Sequence, residues 1–201
     1  MSRKLIPRLL VLVCAVVVLT SATAPDTIVR PAKFDYTMTT LPNGLQVVFL
    51  EDHSTPIVHA SIWYHVGSKD EKAGRTGFAH LFEHLMFKGS RNVRPDQHPS
   101  WITSVGGQSN AFTDEDATVY WQTVPAQYLP LVLWLEADRM ASLEVNEEKF
   151  TNEREVVKEE RRMRFENQPF GRLPEIIFDK AFTTHPYKHQ TIGSLEDLQA
   201  A

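Results

Sequence analysis

His80-Leu81-Phe82-Glu83-His84 brings two imidazoles and a carboxylate into one pentapeptide, a set suited to gripping a metal ion and moving a proton beside it. Residues at i and i+4 of a helix stack one turn apart, so His80 and His84 can aim ring nitrogens at one cation. Glu83 shares that face through its i, i+3 relation to His80. Zinc accepts neutral imidazole and, with one coordination position open, lowers the pKa of bound water to about 7, which makes hydroxide usable near neutrality. A carboxylate beside that water can take its proton, so Glu83 is the candidate general base. Glu83 as a further metal ligand is geometrically awkward, because it adjoins His84 in the chain. For an isolated histidine the bland reading, an exposed or capped side chain on an ordinary helix, would be preferred. Two histidines and a glutamate on one face reverse that preference.

The pattern H-x-x-E-H is the inverted form of the commoner zinc-protease motif. A glycine-spaced loop, residues 67–77, leads directly into the apolar positions Phe78, Leu81, Leu85 and Met86, so the pentapeptide lies on a half-buried helix predicted over about 76–88. Upstream, residues 34–41 and 45–50 alternate around Pro42-Asn43-Gly44 and predict a hairpin closed by an Asn-Gly turn. Residues 57–66 predict a third strand. A short helix near 100–105 follows the prolines at 95 and 99, and Gly106-Gly107 breaks it. Strands are expected at 109–112 and 117–123, the second ended by Pro125. Helical patterns then run from Leu129 to Met140, from 146 to 165 and from 174 to 182. Strands followed by runs of helices predict an α+β layer fold, a mainly antiparallel sheet with helices packed on one face. Trp63, Trp101, Trp121 and Trp134 read as packing residues, and the remaining histidines, His98 among them, as structural or exposed.

Two histidines need a further protein ligand if zinc is to keep three protein contacts and one open position. Cys14 is the only cysteine, so that ligand is a carboxylate or another histidine. In the charged stretch 146–165, Glu153 and Glu160 are seven residues apart, facing the same way about 10 Å apart along the helix axis. Only one of them can touch the ion. Glu159 is the alternative, pointing roughly 100° away around the helix. Most other charges of this stretch read as a solvated surface.

Residues 67–90, GSKDEKAGRTGFAHLFEHLMFKGS, resemble the zinc-binding signature of the insulinase/pitrilysin family of metallopeptidases, the inverzincins that include the mitochondrial processing peptidases. Gly106-Gly107-Gln108-Ser109-Asn110-Ala111-Phe112-Thr113, followed by Thr118-Val119-Tyr120 and Val124-Pro125, resembles that family's substrate-binding edge strand and the strand after it. Asn152-Glu153-Arg154-Glu155-Val156-Val157-Lys158-Glu159-Glu160 resembles the helix that carries its third metal ligand. The resemblance implies a processing-peptidase-like half-domain binding one zinc ion through His80, His84 and Glu160. It implies Glu153 as a carboxylate orienting a histidine or the water, and Asn110 and Ala111 as holders of an extended peptide substrate. It also implies a homologous second half, on the same or a partner chain, that closes over the site. Related folds serve as non-catalytic subunits or scaffolds, but these normally lack ligands that are all present here.

Residues 1–24 combine a cationic start (Arg3, Lys4, Arg8), an apolar run from Leu9 to Leu19 and a small-residue tail, which predicts a secretory signal peptide. The apolar run is shorter than the ~20 residues of a comfortable span, so no stable membrane span is expected after cleavage. The catalytic domain is then expected over 25–201, apparently incomplete at its C-terminus, where Ser194 caps a helix that has barely begun. Cleavage would remove Cys14 and take the formal charge from -4 to -7, leaving a disulfide-free acidic chain. That composition suits export to a bacterial periplasm and argues against nucleic acid as a partner.

Overall fold

The computed structural model describes residues 33–201; the expected signal segment lies outside the described residues. The described residues divide into two compact units, the first ending at Asp52 and the second being His53–Ala201. In the first, β1 (Thr37–Thr40) and β2 (Gln46–Phe49) form an antiparallel hairpin in which Thr40 faces Gln46. The connection is longer than a two-residue Asn-Gly turn. Gly44 N–H donates to Leu41 O at 2.8 Å, Leu41 N–H donates to Leu45 O at 2.8 Å, and Leu45 N–H donates to Asn43 Oδ1 at 3.1 Å. Gly44 supplies the left-handed backbone (φ +88°) that this closure needs. Pro42, which has no N–H, sits at the turn and outside both strands.

The second unit is built on a three-stranded antiparallel sheet, β3 (Ile57–Tyr64), β4 (Gln108–Thr113) and β5 (Thr118–Pro125), in the order β3-β5-β4. Alternation decides its faces. Val58 lies opposite Val124, and Ala60 opposite Gln122. Val58, Ala60 and Val124 pack with Ile102 of α2 (Gln97–Ser104) and with Val132 and Leu135 of α3 (Leu129–Ser142). On the other face Ile57, Trp63 and Phe112 are exposed, and the Trp63 and Phe112 rings meet edge to face at 6.2 Å. The architecture is the expected α+β layer fold.

Several boundaries differ from the sequence expectation, and three of them are instructive. Helix α2 starts at Gln97, three residues early, because Pro99 falls in the first turn, where a backbone N–H has no helical partner to lose. Strand β5 continues through Pro125, its last residue, opposite Ile57. The charged helix α4 (Glu147–Arg161) gives way to a π-helical turn, Arg162–Glu166, closed by Asn167 N–H donating to Arg162 O at 2.8 Å. Asn146 caps α4 by accepting from Lys149 N–H at 2.9 Å.

Helix α1 (Phe78–Leu85) carries the pentapeptide. Its Leu81 and Leu85 are fully buried with Val157 of α4, with Ile192, and with Leu198 of α6 (Leu195–Gln199); Phe150 and Phe165 flank the cluster. Each buried leucine of this kind stabilises the packing by about 1.5–3 kcal/mol. Helix α5 (Leu173–Ala181) leaves Leu173, Ile176 and Ile177 half exposed. Among the described residues no helix is long and apolar enough to cross a membrane.

Candidate metal centre

The start of α1 is fixed by contacts from outside the helix. Gly77 enters it with φ +91°, and a Cβ there would meet Ile192 O at 2.6 Å, so only glycine lets these two backbones touch. Glu71 caps the helix by accepting from Gly77 N–H at 2.9 Å and Ala79 N–H at 2.8 Å. Burial pushes the Glu71 carboxyl up from its usual value, although both amides favour the charged form. Asp197 of α6 accepts from Thr76 N–H at 3.0 Å and Thr76 Oγ1 at 2.6 Å, joining the loop to the C-terminal segment. Ser68 N–H and Lys69 N–H donate to Asp114 O and Glu115 O, tying the loop before α1 to the β4–β5 turn.

With both helices held, His80, His84 and Glu160 converge, each offering one ligand atom within 4.8 Å of the others. Glu160 Oε2 lies 3.7 Å from His80 Nε2 and 3.3 Å from His84 Nε2. Zinc bonds of about 2.1 Å in tetrahedral geometry put neighbouring ligand atoms about 3.4 Å apart, so the donor types and spacing fit that ion. His80 is buried and His84 and Glu160 are partly so. Glu159 points elsewhere, pairing with Arg162 at 3.1 Å in a largely exposed position.

The charges around the cluster divide the two imidazoles. Burial, then the neighbouring His84, lowers the His80 pKa to about 4, which keeps it neutral as a ligand must be. Burial also opposes charge on His84, but Glu160, Glu83 and Glu153 outweigh it and raise that group. Glu160 is held below the usual carboxylate range by His84 first, against a cost of burial, with help from His80 and Arg164. The Nδ1 atoms differ too. His84 Nδ1 lies 3.5 Å from Glu153 Oε2, at the outer limit of hydrogen bonding, while His80 Nδ1 is buried with no hydrogen-bond partner among the described residues.

Glu83 lies on the sheet side of this cluster, where Thr113 Oγ1 donates to its Oε2 at 2.6 Å. Burial raises its pKa and the Thr113 hydrogen bond works against that rise. Thr113 ends β4, and β4 forms one edge of the sheet. Asn110 and Ala111 lie on that edge strand, opposite Trp121 and Tyr120 of β5, and Ala111 N–H donates to Asn110 Oδ1 at 2.9 Å. Three residues that sequence reasoning did not single out join the site. They are Thr113, Arg164, whose Nη2 reaches Glu160 Oε1 at 2.7 Å, and Lys88, whose Nζ reaches Glu153 Oε1 at 3.1 Å. Arg164 at i+4 from Glu160 was visible as helical spacing; the other two pairings depend on tertiary packing.

An antiparallel sheet behind two helices, one bearing a histidine pair with an adjoining glutamate and the other a carboxylate on the same point, is an arrangement that could hold a metal ion with a base beside it. Residues 46–194 match the family model Insulinase (Peptidase family M16), and the chain belongs to that family. It is 40% identical over 161 residues to the zinc protease PqqE of Helicobacter pylori, an alignment covering 80% of this chain and 36% of that protein. The crystal structure of a protease from Helicobacter pylori superposes with a TM-score of 0.81 at 38% identity, covering 84% of this chain and 41% of that one. The periplasmic protease PqqL from Escherichia coli shares the fold, with a TM-score of 0.74 at 23% identity over 86% of this chain and 20% of that chain. The chain therefore spans about a third of the length of the curated relatives that it matches.

Proposed function

We propose that this chain is the metal-binding part of an exported zinc endopeptidase that cleaves peptide bonds in oligopeptides or unfolded segments. The observation that carries this reading is the convergence of His80 Nε2, His84 Nε2 and Glu160 Oε2 from two helices, with Glu83 alongside. One zinc ion held by these three residues would polarise the scissile carbonyl and acidify the attacking water. Glu83 accepts the proton of that water and later returns it to the leaving amine; Thr113 holds the carboxylate in position. Glu153 orients His84 through Nδ1.

Asn110 and Ala111 hold an extended peptide along the outer edge of β4, which among the described residues pairs with β5 only. Such a peptide would take over the Ala111 N–H that Asn110 Oδ1 now accepts. A homologous second half, on this polypeptide or a partner, completes the chamber, in keeping with the greater length of the relatives. The cationic start and apolar run within residues 1–24 support a signal segment, residues 25–201 then forming the metallopeptidase part, with a bacterial periplasm as destination.

Metal analysis of the purified chain tests the centre: about one zinc per chain is expected, with loss of it in His80→Ala. For catalysis, Glu83→Gln in the protein assembled with its second half should keep zinc and lose peptide hydrolysis. Hydrolysis that survives Glu83→Gln would refute the assigned base.

A further inference from the structure

Lys88 lies just beyond the C-terminal end of α1, one turn past His84, and its side chain turns back toward α4. Its ammonium bridges two carboxylates, Asp96 Oδ1 at 3.0 Å and Glu153 Oε1 at 3.1 Å. These partners are unlike. Asp96 is largely exposed, whereas Glu153 is buried at 6% exposure and uses its other oxygen, Oε2, toward His84 Nδ1. Among the described residues, Lys88 and His84 are the only ion-pair partners of Glu153. A buried carboxylate held by one oxygen can rotate about its terminal torsion, which is broad. Held by both oxygens, it cannot. With an ammonium on Oε1, the second oxygen is left facing Nδ1 of the imidazole at 3.5 Å, and a carboxylate fixed there orients the ring so that Nε2 is turned toward Glu160 Oε2, 3.3 Å away.

We infer that Lys88 is a positioning residue of the metal centre: it locks the Glu153 carboxylate so that the His84 ring is held with Nε2 turned to the ion. The inference rests on the reading that His80, His84 and Glu160 bind zinc, and zinc binding by the unaltered chain tests that reading separately. His80 makes the contrast within the same site. Its Nδ1 has no acceptor among the described residues, so one imidazole is oriented by a carboxylate and the other by packing.

The test is zinc affinity by competition with a chromogenic chelator at fixed pH, on the full chain and on Lys88→Met, Lys88→Arg, Glu153→Gln and the double variant Lys88→Met/Glu153→Gln. Loss of an outer partner of a metal-bound histidine costs about 10–100-fold in affinity. Glu153→Gln should fall in that range, and Lys88→Met should lose about tenfold, with Lys88→Arg recovering most of it. Because Lys88 acts through Glu153, the double variant should bind no more weakly than Glu153→Gln alone. Rescue by Lys88→Arg is the readout that a role in packing alone would not give, because only a cation restores the hold on Glu153 Oε1. Unchanged affinity in Lys88→Met, no recovery in Lys88→Arg, or losses that add fully in the double variant would each overturn the inference.

Discussion

Glu136 and Arg139 of α3 are nearly inaccessible, at 2% and 3% exposure, and the sheet depends on them. Arg139 Nε donates to Glu136 Oε2 at 2.9 Å, and Nη2 donates to Oε1 at 2.5 Å and Oε2 at 2.6 Å. Gln122 of β5 donates to the same carboxylate, and His98 Nε2 lies 3.7 Å from it. The guanidinium also lies over the Tyr120 ring at 4.1 Å. At an effective dielectric of 20, opposite charges about 4 Å apart attract by about 4 kcal/mol, and stripping one partner from a buried pair costs about 3–5 kcal/mol. Arg139→Met should therefore destabilise the chain by about 4 kcal/mol in urea unfolding, with up to about 2 kcal/mol more from the lost ring contact. Glu136→Gln/Arg139→Met removes the orphaned charge and keeps an acceptor for Gln122, so it should recover at least about 2 kcal/mol of that loss.

The pH dependence supplies an independent check. Burial raises the Glu136 pKa, but His98 and Arg139 more than reverse it, and the net shift is downward from 4.5. A depressed carboxylate contributes stability that is fully present above the unfolded value and is lost as pH falls through the folded value. Without Arg139 burial is opposed by His98 alone, so the carboxyl rises relative to wild type and less stability is lost on acidification. The gap between wild type and Arg139→Met should thus narrow as pH falls through the carboxylate range. A loss under about 1 kcal/mol, a double variant no better than the single, or a gap that widens on acidification would refute this account.

Gly77→Ala should cost more than about 2 kcal/mol in thermal or urea unfolding, because φ is +91° and the new Cβ would meet Ile192 O at 2.6 Å. Thr113→Val removes the donor to Glu83 Oε2; a hydrogen bond to a charged group is worth about 1.5–3 kcal/mol, so peptide hydrolysis by the assembled protein should fall about tenfold or more at unchanged zinc content. Asn146→Ala should lower stability by about 1 kcal/mol in the same unfolding assay, through loss of the cap on Lys149 N–H.

The parts of this protein legible from sequence are those encoded locally. Periodicity located β3, β5 and the helices, because each buries one face and its pattern repeats within a few residues. Boundaries were less legible wherever a proline or a wide turn was involved: Pro99 reads as a break but is harmless in a first turn, and nothing in Arg162-Met163-Arg164-Phe165-Glu166 announces a π-helical turn. Trp63 reads as a packing residue, yet it is 57% exposed, because alternation along β3 puts it on the face away from the helices.

The same distinction runs through the site. His80, Glu83 and His84 are neighbours on one turn, so their types and spacing point to chemistry before any fold is known. Glu160 requires that α1 and α4 meet, and spacing alone left Glu153, Glu159 and Glu160 in competition; resemblance favoured Glu160, and packing of Leu81 and Leu85 on Val157 brings Glu160 to the two imidazoles. Beyond that, Thr113 reaches Glu83 only because the loop before α1 is fastened to the β4–β5 turn, and Lys88 reaches Glu153 only because α1 ends beside α4. Ligand identity is thus written in short-range pattern, whereas the hydrogen bonds and charges that orient those ligands arise from the register between elements. A variant that preserves all four motif residues but shifts α1 against α4 should lose zinc affinity, and Gly77→Ala, which disturbs α1 at its entry without touching a ligand, is the substitution that makes this measurable.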